Sequence, residues 1–175
     1  EALNRGLNAG LIGLLVVAIF MILWYRLPGL LSVISLAIYV VLMLALFKLF
    51  GITLTAAGIA GFILSVGMAV DANILIFARL KEEMKHTEHL PDALSHAFSR
   101  AWLSIRDSNL STIITALILF WFGTSLIKGF ALTLAIGVLV SMLTAISITR
   151  TFLKSVGGGH TNKLNKFFFG SGLSN

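Results

Sequence analysis

Cysteine is absent from these 175 residues. That excludes disulfides, thiolate metal sites and cysteine nucleophiles, and it leaves the redox compartment undecided. Charge is scarce as well. Asp, Glu, Lys and Arg make up 11% of the chain, against about 25% in a typical soluble domain. A surface of this size cannot be kept in water by so few charges. The other side of that deficit is a hydrophobic content of 58% and a mean hydropathy of +0.99. Lipid, rather than water, is the expected solvent for most of the surface.

Five continuous apolar runs divide the chain: 7–25, 29–50, 56–78, 109–126 and 129–152. Each is long enough to cross a hydrocarbon layer of about 30 Å at about 1.5 Å per residue. Continuous rather than alternating apolar residues argue against a β-barrel. The expected fold is therefore all-α: a polytopic membrane protein, with a transmembrane domain over 1–155 built from five transmembrane helices. Leu27-Pro28-Gly29 fits the start of the second helix, where proline's missing N–H costs nothing, and Gly51 fits its end. Lys128-Gly129 separates the last two runs as a tight antiparallel hairpin.

The stretch 79–107 differs, because it holds most of the charges. Leu94, Phe98, Ala101, Trp102 and Ile105 recur there at helical spacing behind Pro91, which predicts an amphipathic helix lying on the membrane surface. A solvated loop helix is the alternative. The Gly-, Ser- and Asn-rich segment 156–175 is expected to be a flexible cytoplasmic tail, with Lys163 and Lys166 near lipid headgroups as one option.

Orientation follows from basic residues. Arg5, Lys48 and Lys128 fall on one side; the other ten of the thirteen, among them Arg26, Arg79, Lys81, Arg100, Arg106 and Arg150, fall on the opposite side. Positive loops stay cytoplasmic, so the 79–107 loop and the C-terminus are expected inside and the N-terminus outside. The net charge of +6 is thus assigned to membrane orientation, not to nucleic acid. Glu1 stands in place of a start methionine and no basic segment precedes the first apolar run. The expectation is a fragment whose N-terminus was carried across by something upstream.

Of seven acidic residues, only Asp71 lies inside an apolar run. A carboxylate there costs about 2.5 kcal/mol or more by insertion scales, so it must face protein or water. Apolar surroundings disfavour the charged form of a carboxylate, and a carboxyl group that gains and loses its proton inside a membrane can load and release it across the bilayer. Counting equal depths along the flanking helices puts Thr112, Thr115, Ser141 and Thr144 at the level of Asp71, with Asn109 as a further candidate. The alternatives are a protonated packing role for Asp71, back-bonding of the hydroxyls to their own helices, and helix capping by Asp107-Ser108-Asn109. Gly58, Gly61, Ser65, Ala69 and Ala72 form a small-residue face suited to close helix contact. Glu82, His86 and His89 share a charged loop without a rigid frame, and no metal is assigned to them. No phosphate-binding glycine loop and no nucleophile–base pair is recognisable, so neither a cofactor nor an enzymatic step is expected.

The segment GFILSVGMAVDANILIFARLKEEMK, from Gly61 to Lys85, resembles the signature of the SecD family, membrane subunits of the bacterial SecDF protein-export complex in the RND superfamily. RAWLSIRDSNLSTIIT (Arg100–Thr115) and GTSLIKGFALTLAIG (from Gly123) resemble the helices that follow it. Ala78 departs from the pattern, where the family has an acidic residue. The resemblance implies the last five of six spans, an extracytoplasmic domain upstream, a SecF-like partner subunit, the SecYEG translocon, and use of the proton-motive force to assist preprotein export through the bacterial plasma membrane. It maps the family's intramembrane aspartate onto Asp71. Two other readings stand beside it: half of another RND-type exporter of small molecules or lipids, and a non-conducting scaffold at the translocon.

Overall fold

A computed structural model describes residues 2–86 and 89–156. The expected tail, with Lys163 and Lys166, lies almost wholly outside them. All regular elements among the described residues are helical: α1 (Ala2–Leu49), α2 (Ala56–Glu83), α3 (Leu90–Phe122), α4 (Ser125–Thr144), a π-helical turn (Ala145–Thr149) and α5 (Arg150–Val156). Four helical stretches are long and apolar enough to cross a membrane, α4 running on through the π turn as far as Leu153.

α1 is not straight. Arg26 has φ 50° and ψ −117°, a backbone conformation that an L side chain adopts only at a cost of about 1–3 kcal/mol. Gly29 lies so near the Met21 carbonyl that a Cβ would strike it, although eight residues of straight helix would separate the two by about 12 Å. The contacts on α2 agree. Gly6 lies by Ile59, Gly10 by Ile63 and Tyr25 by Phe77, so the first arm runs parallel to α2. Phe47 meets Phe62 and the Tyr39 hydroxyl meets that of Ser65 at 2.7 Å, so the second arm runs the other way. The chain reverses at Arg26, and Pro28 falls in the first turn of the second arm, where it breaks no bond.

The second arm ends in a Schellman motif. Gly51 takes φ 63°, while the Ile52 N–H donates to the Phe47 carbonyl (2.9 Å) and the Gly51 N–H to Lys48 (3.4 Å). Thr55 then caps α2 by accepting from the Gly58 N–H at 3.1 Å.

Against expectation, α3 does not begin at Asn109. It starts at Leu90, with Pro91 in its first turn, and runs unbroken through Asp107-Ser108-Asn109. The side chains expected to cap a helix there do other things: Asp107 pairs with Arg106, Ser108 donates to the Ile105 carbonyl, and Asn109 is buried. The expected surface helix is instead the first half of α3. Leu90, Ala93, Leu94, Ala97, Phe98, Ala101 and Ile105 are buried in the main core, and Arg100 bridges to Glu83 at 3.0 Å. The apolar stripe was read correctly, but it covers protein rather than lipid. The hairpin before α4 likewise falls earlier than Lys128-Gly129. Gly123 ends α3 with its N–H on the Leu119 carbonyl at 2.9 Å, and α4 begins at Ser125.

The central packing is between α2 and α4. Gly58, Gly61, Ser65, Ala69 and Ala72 are all buried. A Cβ at Gly61 would collide with the Thr133 hydroxyl and the Phe130 carbonyl, and one at Gly137 would collide with Ser65. This is the close backbone approach that small residues permit in membranes. Large side chains such as Leu11, Leu15, Ile19, Leu117 and Trp121 stay exposed around the outside, as a lipid-facing surface requires.

Candidate functional site

Asp71 sits midway along α2, on the face that α4 does not cover. Within this chain it is exposed. It lines a groove between α2 and α3 of about 210 Å3, whose other walls are Met68, Ala72, Leu75, Ile105, Ser108, Asn109 and Thr112. α3 runs antiparallel to α2, which brings Asn109 and Thr112, one turn apart on α3, to the depth of Asp71. The uninterrupted helix through 107–109 is what aims Asn109 inward: 5% exposed, it stands at mid-helix, not at a cap. The Thr112 hydroxyl donates to the Ser108 carbonyl at 3.1 Å and is half-buried.

The other candidates lie elsewhere. Thr115 is exposed and donates to Ser111 at 2.9 Å. Ser141 and Thr144 are buried, with their hydroxyls on the carbonyls of Val138 (2.8 Å) and Ser141 (3.0 Å) of their own helix. Depth alone grouped five residues. Facing separates them, because α4 turns Ser141 and Thr144 into its packed core while the groove opens between α2 and α3.

Two polar contacts away from the groove were not anticipated. Asn73, two residues beyond Asp71 and on the opposite face of α2, is 4% exposed and accepts from the Thr149 hydroxyl at 2.9 Å. Thr149 closes the π turn, the kind of helix irregularity that recurs at functional sites. Tyr39 and Ser65 form the second pair. The sequence signal was available in each case: an amide and a phenol inside apolar runs need a partner.

Residues 1–158 match the family of protein export membrane proteins described as SecD/SecF, C-terminal. The chain belongs to this family. It is 62% identical over 160 residues to the protein translocase subunit SecD of Thermobaculum terrenum, covering 89% of this chain and 31% of that protein. The SecD of Synechocystis sp. is 56% identical over 153 residues, covering 87% and 32%. Among solved structures, the translocon-associated membrane protein SecDF from Thermus thermophilus superposes with a TM-score of 0.85 at 34% identity, over 88% of this chain and 22% of that one. SecDF in its super-membrane-facing form gives the same score and identity over 92% and 22%. The chain thus spans about a third of the length of the SecD relatives. Family and apolar helices together make it a multi-pass membrane protein.

Proposed function

We propose that this chain is the membrane-embedded half of a machine that uses the proton-motive force to assist preprotein export across the bacterial plasma membrane. Asp71 is its proton-carrying site, and Asn109 and Thr112 line the path. The observation that carries the reading is the setting of Asp71. It is the only carboxylate within an apolar run, it shares a groove with an amide and a hydroxyl, and its face of α2 is open. A carboxylate at that depth is not left against lipid. The open face, with Ala60, Leu64 and Gly67 exposed along it, is therefore where a second, SecF-like subunit sits and completes the path. The SecYEG translocon and the preprotein engage the complete assembly. No chemical step is assigned to the chain, so it is not an enzyme.

We read α1 as two spans joined at Arg26, which makes five in all. In support, the arms run in opposite directions along α2, and the 42 residues of the mainly apolar stretch Asn8–Leu49 are about twice what one crossing needs. With ten of thirteen basic residues assigned by their place in the sequence to one side, we read the α2–α3 connection and the C-terminus as cytoplasmic and the N-terminus as extracytoplasmic.

The test is Asp71→Asn in the full complex. Asparagine keeps the shape and much of the hydrogen bonding but cannot release a proton. The variant is expected to insert and bind its partner normally yet lose gradient-dependent release of preprotein, read with and without an uncoupler. One charge crossing 100 mV is worth about 2.3 kcal/mol, so the loss is large. Full gradient-dependent release by the variant would leave Asp71 a packing residue and return the scaffold reading to first place.

A further inference from the structure

Three arginines around the α2–α3 end of the bundle hold acids: Arg79 with Glu82 at 2.8 Å, Arg100 with Glu83 at 3.0 Å and Arg106 with Asp107 at 2.9 Å. Arg150 differs. Its guanidinium lies over the Phe98 ring, 5.8 Å from the centroid, and its Nε is buried with no hydrogen-bond acceptor. It makes no ion pair with any acid among the described residues. A buried guanidinium N–H without an acceptor is costly, because its lost hydration is not replaced. The Nε itself is closed off, but the Arg150 side chain also lines a cleft, where an acceptor from outside the chain can reach it.

A cleft of about 220 Å3 opens there, lined by Ile76, Phe98, Ser99, Trp102, Ile105, Ala145 and Arg150. Its chemistry is graded along the bundle. α3 enters from the 84–89 connection, so Ser99 lies about 9 Å nearer that end than Ile105, at about 1.5 Å per residue. The chain from α4 runs the opposite way, so Arg150 likewise lies nearer that end than Ala145. The outer end therefore holds a guanidinium and an exposed hydroxyl. The inner end holds only apolar groups, and Trp102 stands in the wall, as aromatic side chains do at the level of lipid headgroups.

We propose that this cleft binds the phosphate of an anionic membrane lipid. Arg150 takes the phosphate oxygens with its planar fork, Ser99 donates to a further oxygen, and Ile105 and Ala145 receive the first carbons of an acyl chain. A soluble anion would use the outer half and leave the apolar half without purpose, which is why the headgroup of a lipid is the better match. The site is separate from the Asp71 groove, whose only shared wall is Ile105.

The experiment reads Trp102 fluorescence in the intact complex, with Trp24 and Trp121 of this chain and any tryptophans of its partner replaced by Phe. The complex is placed in phosphatidylcholine vesicles carrying a minor share of brominated phosphatidylglycerol or of brominated phosphatidylcholine. Quenching by the brominated phosphatidylglycerol is expected at a lower lipid fraction than by the choline lipid. Arg150→Gln should raise the fraction needed on the order of fivefold, the effect of one basic residue at an anionic surface, while Arg100→Gln, which removes an arginine already paired, should not. Should Arg150→Gln fail to assemble, Ser99→Asp serves instead: at an exposed position it supplies Arg150 with a carboxylate and should expel the lipid to the same degree. Equal quenching by the two lipids, or unchanged quenching in Arg150→Gln or Ser99→Asp, overturns the proposal. So does displacement of the lipid by millimolar inorganic phosphate, which would make the ligand a free anion. A cross-link from position 150 to a partner-subunit carboxylate that persists at saturating phosphatidylglycerol would overturn it too.

Discussion

α2 has two faces that each carry small residues, and they behave in opposite ways. On one, Gly58, Gly61, Ser65, Ala69 and Ala72 are sealed against α4, with the Thr133 hydroxyl donating across the interface to the Gly58 carbonyl at 2.9 Å. On the other, Gly67 has nothing within 4 Å of where a Cβ would stand, and Asp71 faces an open groove. Small residues alone therefore do not say whether a helix face is finished. What decides it is whether the facing helix supplies small residues and hydroxyls at matching heights. α4 does so with Gly129, Thr133 and Gly137. For the Gly67–Asp71 face, the first arm of α1 and the middle of α3 come near without closing on it, leaving a cavity beside Gly67 and a groove beside Asp71.

The sharpest way to break that contrast is to enlarge the sealed face. Gly61→Leu drives a side chain into the Phe130 carbonyl, which is backbone and cannot swing aside. Overpacking of this kind costs up to about 3 kcal/mol and sometimes more, and here it also pulls Thr133 away from Gly58. A large fall in the thermal midpoint of the detergent-solubilised protein is expected. A variant that melts with the parent would show that α2 and α4 are not in the close contact described. A milder probe of the same face is Thr133→Val, which keeps the volume and removes the hydroxyl. Interhelical hydrogen bonds in membranes average about 0.6 kcal/mol and reach about 1.7. Because the Thr133 proton is shared with the Gly129 and Phe130 carbonyls of its own helix, the lower figure is expected in chemical unfolding. A loss above about 2 kcal/mol would mean that this bond dominates the interface.

How far this could be seen in the sequence depended on whether a feature is local. The spacing of Gly58, Gly61, Ser65, Ala69 and Ala72 is fixed by one helix, so it read as a contact face and is one. The isolation of Asp71 among apolar residues is also local, and it pointed to the groove. The helix starts failed where tertiary packing overrode local signals. Asp107-Ser108-Asn109 has the composition of a cap, but the buried stripe from Leu90 to Ile105 holds α3 continuous through it. Thr144 failed for a different reason. Depth along a helix follows from counting, whereas direction around it depends on where neighbours stand, and α4 buries Thr144 with its hydroxyl on the Ser141 carbonyl. The Asn73–Thr149 bond spans 76 positions and had no local signal beyond the presence of a buried amide.

The smallest expected effect tests the open face. Gly67→Ala adds one methyl where this chain has nothing to meet it. In water, alanine is the better helix former by about 0.8–1.0 kcal/mol. The variant chain should therefore melt within about 0.5 kcal/mol of the parent or slightly above it, in direct contrast to Gly61. If a partner helix seals this face as closely as α4 seals the other, the same methyl stands in its way, and co-purification of the partner should weaken while the isolated chain stays unaffected. Measuring both quantities on one variant separates the two faces of α2. Destabilisation of the isolated chain would mean that the face is already filled from within. An unchanged chain with an unchanged partner would place the second subunit against some other surface and leave Asp71 without the neighbour that the proposed proton path requires.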